Sequence, residues 1–519
     1  MRLWDHQQRG LNELARAIRT GERNICVTSP TGGGKSRMMF EEIHNSLSKE
    51  VALYTDRRML LSQISEGLTS EGIEHGVRAA GVEPALLRRI QLAMVQTEGS
   101  RCLNGISGAG TRDVHACDLL MIDEAHKMAA GTMAALDEKH LEANPDRVKV
   151  GFTATPLGIG HFYDRLIVAG TLSELRACGA LLPAYSYGPD EPDTKWIGKI
   201  VIGEGECGLP NARRMEYAHR VFGRVVENYH ALNPKQLPAL LFAPGVKESK
   251  WLAEQLTEEG ITADHIGDNE IWMEGETLEA NDENRALLAE RSKSGRAKVL
   301  CNRFIMREGI NWPWIYHGIL ATVFGSLTSY IQAGGRILRN DPSLPGKVII
   351  QDHGGNWWRH GSLNADREWR LEYNDRIVAG LRAQRLREKK EPEPIVCPKC
   401  HGLRTHGKEC PHCGHTHTTR TRPVLQKDGK LKEVRGDIFR RRRELPHNER
   451  LRNEWASRVR AIRNSRKETV QRMTFAQAEV AFARDHNWGY PPHTLPEMPV
   501  NDADWFRPIR EVPRERLRT

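Results

Sequence analysis

Residues 24–36 read N-I-C-V-T-S-P-T-G-G-G-K-S. A short apolar, partly β-branched run stops at a Ser-Pro pair, three glycines follow, and from Ser36 to Leu47 the spacing turns helical. Strand, glycine-rich turn and helix in that order suit a phosphate-binding turn. Gly32, Gly33 and Gly34, with Thr31 before them, let backbone N–H groups curl round phosphate oxygens with no Cβ in the way. Lys35 then reaches the β- and γ-phosphates, and the Ser36 hydroxyl at the helix N-terminus is offered to Mg²⁺. Ser29 stands at the first glycine of the strict G-x-x-x-x-G-K-[ST] pattern. Taken alone, such a turn also serves as an ordinary strand-to-helix connection.

Outward from this turn the alternation continues. VALYTD at 51–56, LLMIDEAH at 119–126 and VKVGFTATP at 148–156 are further buried-strand patterns with amphipathic stretches between them. A second set follows: PALLFAPG at 238–245, AKVLCNRF at 297–304, HGILATVF at 317–324 and GKVIIQDHGG at 346–355. Alternating strands and helices predict parallel sheets covered on both faces. The expected fold is α/β, with two tandem halves. The boundaries read as 1–175 for an ATP-binding half, 176–215 for a Pro- and Gly-rich connector and 216–365 for the second half. A charged helical linker at 366–396, a cysteine module at 397–417 and a basic C-terminal region at 418–519 complete the chain.

Asp123 and Glu124 end the strand LLMIDEAH. A magnesium nucleotide needs one carboxylate near the metal shell and another to orient the attacking water, and the pair supplies both, Asp123 for Mg²⁺ and Glu124 for water. With a phosphate turn before it and T-A-T-P at 153–156 after it, this is more than an acidic strand end.

Together these motifs resemble the superfamily 2 helicases of the DEAD/DEAH-box type, in which S-P-T-G-G-G-K-S is an accepted phosphate loop. The resemblance covers about residues 1–360 and implies two RecA-like domains with ATP held between them. It makes D-E-A-H at 123–126, including His126, the second motif, and Thr153 and Thr155 part of the element that couples nucleotide state to nucleic acid. L-W-D-H-Q at 3–7 is similar to the family's opening L-R-P-Y-Q, which makes Gln7 the adenine reader. Q-A-G-G-R-I-L-R at 332–339 matches the family's Q-x-x-G-R-x-x-R, assigning Gln332, Arg336 and Arg339 to the catalytic cleft, with Arg336 as an arginine finger. On a continuous helix the two arginines, three apart, would share a face. R-E-G-I-N-W-P at 307–313 is similar to the fifth motif through Gly309, although Asn311 stands where the family carries an acid. D-H-G-G-N-W-W-R-H-G at 352–361, followed by a cysteine cluster, is most similar to RadD-type bacterial and phage repair helicases.

That cluster, Cys397, Cys400, Cys410 and Cys413, is spaced C-x₂-C-x₉-C-x₂-C. Two such turns complete a closed tetrahedral Zn²⁺ site, which is structural. The chain has 519 residues and ten cysteines, too few for a disulfide scaffold of that size. At 39% hydrophobic and 28% charged, it has the composition of a water-exposed globular protein. No run approaches the roughly 18 to 20 apolar residues that span a bilayer, and the first ten residues lack the apolar core of a signal peptide. The expectation is a cytoplasmic protein of a bacterial or phage-infected cell. Residues 420–472 carry 18 Lys+Arg against 7 Asp+Glu, an excess larger than the net +9 of the whole chain. A basic block of this kind binds phosphate backbones.

The resulting functional expectation is an ATP-dependent helicase or translocase acting on DNA, single-stranded or branched, in replication or repair. The alternatives are the motor subunit of a restriction-type system and an RNA helicase.

Overall fold

The structure is a computed structural model. It describes residues 3–83, 85–103, 113–189, 220–307, 312–371, 395–396, 399–400, 403–404, 411, 413–414 and 421–434. The chain divides into two units, Met1–Val434 and Arg435–Thr519, and the second lies outside the described residues. The basic tail beyond Val434 and the last prolines lie in that second unit.

Seven strands form the first sheet: β1 (Asn24–Thr28), β2 (Val51–Thr55), β3 (Gly76–Arg78), β4 (Ile90–Met94), β5 (Leu119–Asp123), β6 (Val148–Thr153) and β7 (Arg165–Val168). They pair in the order β3-β4-β2-β5-β6-β1-β7, every pair parallel. Successive side chains point to opposite faces, and the packing follows that alternation. Ile25, Val27, Leu53 and Met121 join one core with Leu14 and Met38 of the helices Asp5–Arg19 and Lys35–His44. Cys26, Tyr54, Leu120 and Ile122 join another core with Met133 and Leu136 of the helix Thr132–Ala143. Both faces are thus covered, which is why these strands read as nearly unbroken apolar runs.

The second sheet has nine strands. Its parallel body contains β8 (Ala184–Gly188), β10 (Ala239–Phe242), β11 (Ala263–Ile266), β14 (Val299–Asn302), β15 (His317–Leu320) and β16 (Val348–Asp352), while the short strand β9 (Arg220–Phe222) lies outside this sheet. The antiparallel pair β12 (Glu270–Met273) and β13 (Glu276–Glu279) extends one edge. The order is β13-β12-β11-β14-β10-β15-β16-β8-β20, where β20 (Lys432–Glu433) is antiparallel to β8. The molecule is therefore a mixed α/β protein built on one parallel sheet and one mainly parallel sheet. Among the described residues no helix is long and apolar enough to cross a membrane.

Three placements differ from the sequence expectation. Residues 184–188, read as connector because prolines surround them, form β8 and pair with β16 in the second sheet. Leu175, Leu181 and Leu182 also pack into the second half's core. The charged helix expected from Asp366 does not start there: residues 366–371 are irregular, and Asp366 Oδ1 instead accepts from Ser173 N at 2.9 Å. Residues 372–394 lie outside the described residues. Finally, 421–434 is not part of a detached tail. Val424 is 4% exposed in the core of the second half, β19 (Leu425–Lys427) pairs with β9, and Arg422 is ion-paired to the buried Glu248. Charge alone marked this segment as a polyanion grip, but it also carries a core valine and two edge strands.

Candidate active site

Parallel strands deliver their C-terminal ends to one edge, where ligands of open α/β sheets bind. The registers Thr28↔Thr153 and Asp123↔Phe152 bring the ends of β1, β6 and β5 into one row, with Thr55 of β2 beside them. The phosphate loop leaves β1 at this edge, anchored by Ser29 N donating to Thr153 O at 3.1 Å. Gly34 caps the following helix at φ +74, a left-handed conformation that favours glycine. Lys35 is the first residue of that helix. It is half-buried, with Nζ 3.4 Å from Ser29 O. Burial pulls its pKa down, against the opposing charges of Glu124 and Asp123. Ser36 lies exposed in the same first turn.

Gln7 lies under the loop. Its Nε2 donates to Gly33 O at 3.1 Å and to Gly34 O at 3.4 Å, while its Oε1 accepts from Trp4 N at 3.0 Å. The amide expected to read adenine is thus committed to bracing the turn. An open pocket lined by Leu3, Trp4, His6 and Arg9 adjoins it.

Asp123 and Glu124 occupy the sheet edge as a buried pair. Thr55 Oγ1 donates to Asp123 Oδ2 at 3.2 Å. Burial, then the neighbouring Glu124 charge, pushes Asp123 up to about 6. Burial alone would raise Glu124 too, but His126 and Arg57 outweigh it and hold that carboxylate well below the ordinary range. Glu124 has φ +49, rare for a residue with a Cβ, and Arg57 ion-pairs its Oε1. Two carboxylates of opposite titration behaviour side by side are what an acid–base and metal site needs.

The second half reaches this edge through the helix Leu327–Ile337. Gln332 Nε2 donates to His126 Nε2 at 3.2 Å, leaving the ring proton on Nδ1, which is 3.0 Å from Thr153 Oγ1 and 3.3 Å from Glu124 Oε2. Gln332, His126, Thr153 and Glu124 therefore form one chain of contacts across the two halves. Arg336, on the same helix, is close enough to Lys35 for its charge to lower that amine. Gly335 meets the phosphate loop directly. A Cβ there would stand 2.9 Å from Thr31 Oγ1 and Cγ2, and closer still to its Cβ. Arg339 does not share the helix face with Arg336. The helix ends at Ile337, Leu338 O accepts from Leu182 N at 2.7 Å, and Arg339 forms a backbone bridge with Leu181. Burial of its side chain, then the charge of nearby Arg57, lowers it to about 10.

The donor set fits a magnesium nucleotide. Asp123 and Ser36 offer the hard oxygens Mg²⁺ takes while keeping its own waters. Ser29 Oγ and Thr155 Oγ1 are buried with no hydrogen-bond partner among the described residues, and Lys35 and Arg336 would offer countercharge to phosphates. Residues 1–158 match the family model described as the Type III restriction enzyme, res subunit. A 51.5 kDa protein of Lactococcus phage (isolate 7-9) is 27% identical over 403 residues, covering 75% of this chain and 77% of the phage protein. A Saccharomyces cerevisiae protein assigned as the ATP-dependent helicase IRC3 is 23% identical, covering 73% of this chain and 56% of the yeast protein. Among solved structures, a fragment assigned as the HsdR subunit of a type I restriction enzyme from Vibrio vulnificus YJ016 aligns with TM-score 0.48 and 14% identity. It covers 70% of this chain and 67% of that one.

Several residues expected at the site fall elsewhere. Gly309 lies outside the described residues, as do Cys397 and Cys410. Cys400 sits in the turn between β17 (Ile395–Val396) and β18 (Leu403–Arg404), an antiparallel pair, and Cys413 precedes Gly414 at φ +66. No group of three or more potential metal ligands occurs among the described residues. Sequence reasoning missed Arg57, although T-D-R-R at 55–58 puts charge at the C-terminal end of a buried strand, the usual address of ligand contacts.

Proposed function

We propose that this chain is a nucleic-acid-dependent ATPase that translocates along or unwinds DNA. The observation that carries the reading is the Gln332–His126 contact, because it joins the helix bearing Arg336 to the strand end bearing Asp123 and Glu124. In this reading the phosphate-loop N–H groups and Lys35 hold the ATP phosphates, with Asp123 and Ser36 holding Mg²⁺. The cation supplies charge neutralisation at the phosphates. Glu124 orients the attacking water, and His126 keeps that carboxylate in place. Arg336 meets the charge that develops on the γ-phosphoryl group. Hydrolysis yields ADP and phosphate, and departure of the phosphate removes the anion that Lys35 and Arg336 share, so the cleft opens and closes once per turnover. Thr153 and Thr155 carry that change to the nucleic-acid side. Gln7 supports the loop, and the base lies in the adjoining pocket beside Trp4.

Four cysteines at 397, 400, 410 and 413 hold a structural Zn²⁺ in this proposal, supported by the hairpin that presents Cys400. The basic residues after Val434 grip phosphates without reading sequence. Single-stranded or branched DNA is the proposed track, the cytoplasm the proposed compartment, and repair or replication the proposed setting. A restriction-type motor is the second reading, favoured by the family description that residues 1–158 match.

ATP turnover measured in parallel with no nucleic acid, single-stranded DNA, duplex DNA, forked DNA and RNA tests the proposal. The expected result is strong stimulation by one or more DNA forms and little by RNA. Equal rates under all five conditions would remove the motor reading.

A further inference from the structure

The turn after β2 is fastened to the carboxylate segment by three successive side chains. Thr55 Oγ1 donates to Asp123 Oδ2 at 3.2 Å, Asp56 is ion-paired to Lys127, and Arg57 is ion-paired to Glu124. The turn also closes on itself, since Arg57 N donates to Thr55 Oγ1 at 3.1 Å. Arg57 is 15% exposed and Glu124 6%, so water screens their pair poorly. Glu124 faces Asp123, Lys35, His126 and Arg57, and its left-handed backbone limits where its carboxylate can swing. Of these neighbours only Arg57 ion-pairs the Oε1 oxygen, while His126 lies beside Oε2. Oε2 is buried with no hydrogen-bond partner among the described residues, so it is the guanidinium on Oε1 that fixes the carboxylate, and a carboxylate paired to a guanidinium is a weaker base for a proton of water. On its outer side the turn continues into the exposed Arg58, the first residue of the helix Arg58–Ser70. The turn thus links the surface to Glu124.

We propose that Arg57 is a positioning residue that holds Glu124 away from water activation, so that hydrolysis stays slow until the 55–58 turn is displaced. The proposal rests on the ATPase reading above. It assigns Arg57 a restraining role: the residue does not touch the reacting atoms, and its removal speeds turnover in the absence of nucleic acid. Stimulation by nucleic acid is then partly the release of this pair.

The test is steady-state ATP turnover by the full chain, with and without saturating single-stranded DNA, for wild type, Arg57→Gln and Arg57→Lys. Arg57→Gln should raise the DNA-free kcat by roughly five-fold or more, the lower end of ordinary coupling between sites. KM for ATP and the DNA-stimulated rate should stay near wild type. Arg57→Lys, which keeps the charge, should restore the low DNA-free rate. A DNA-free kcat that is unchanged or reduced in Arg57→Gln overturns the restraint, since a merely structural role lowers both rates together. Should Arg57→Gln melt below the assay temperature, Arg57→Met, which keeps the aliphatic stem, carries the same comparison. Wild type without turnover under any condition removes the ATPase reading and this inference with it. Normal wild-type turnover with an unresponsive Arg57→Gln removes this inference alone.

Discussion

At the scale of single residues, the two carboxylates and two cations at the sheet edge have separable jobs in the proposed mechanism. Lys35 touches the loop and, in the proposed complex, the phosphates, so Lys35→Ala should abolish tight ATP binding. Glu124→Gln keeps the shape and loses the charge proposed to orient water. It should bind ATP normally while kcat falls by about 10²-fold or more. Equilibrium nucleotide binding beside turnover distinguishes the two variants, and near-normal hydrolysis by Glu124→Gln would sink the assignment. Arg336 comes from the other half, and in the proposed cleft its charge would matter most when the γ-phosphoryl group is in transit. Arg336→Ala should therefore leave ATP affinity nearly intact and lower kcat by about 10³-fold. A variant that turns over at the wild-type rate would mean that Arg336 contributes nothing to the transition state.

The contact between elements that most constrains the cleft is the crossing of the helix Leu327–Ile337 over the phosphate loop. Gly335 is buried against Thr31 with no room for a methyl group. Gly335→Ala overpacks this crossing at a cost of about 1–3 kcal/mol, borne by the contact between halves. Turnover should fall and the Gln332–His126 hydrogen bond should loosen, whereas ATP affinity, set largely by the loop, should change less. Steady-state kinetics together with nucleotide binding checks this, and unaltered kcat would show that the helix can shift without penalty. The crossing was legible in part from sequence. Q-A-G-G-R announced a helix with an arginine, but nothing local announced that the second glycine would abut a threonine some 300 positions earlier.

Across the whole molecule, the segment after the cysteine cluster has two parts with different work. Residues 421–434 complete the second half. Truncation after Cys413 strips Val424 from the core, bares the β8 edge and leaves the buried Glu248 without Arg422. Losing one partner of a buried ion pair costs about 3–5 kcal/mol, and partial exposure of Arg422 puts this case at or below the lower end. Truncation after Val434 removes only the basic tail. The longer deletion should lower the melting temperature and turnover together. The shorter one should spare both and flatten the salt dependence of DNA binding, since each phosphate that is no longer neutralised takes about 0.9 from the slope of log K against log salt. Melting curves and binding at several salt concentrations decide it; an unchanged slope in the shorter deletion would reject the grip. For the cysteine module, elemental analysis of protein purified without chelator should find one zinc per chain, and Cys410→Ser should lose it. Metal content near zero would favour free thiols.

The amino-acid sequence by itself determined whatever depends on neighbours in the chain. The apolar runs became β1, β2, β5 and β6, and β10, β14, β15 and β16, because a strand buried on both faces must be apolar throughout. The loop Thr31–Ser36 followed from glycine conformation, and the pairing of Asp123 with Glu124 from adjacency. Tertiary structure alone decided what depends on distant partners. A proline-flanked stretch became β8 because β16 offered it an open edge, and Arg339 left the helix because 180–182 paired with 338–340. Gln7 turned its amide to the loop, and Arg57 found Glu124 from 67 residues away. Local propensity ranks conformations one residue at a time. Hydrogen bonds and charges between remote segments exist only once both sheets are built.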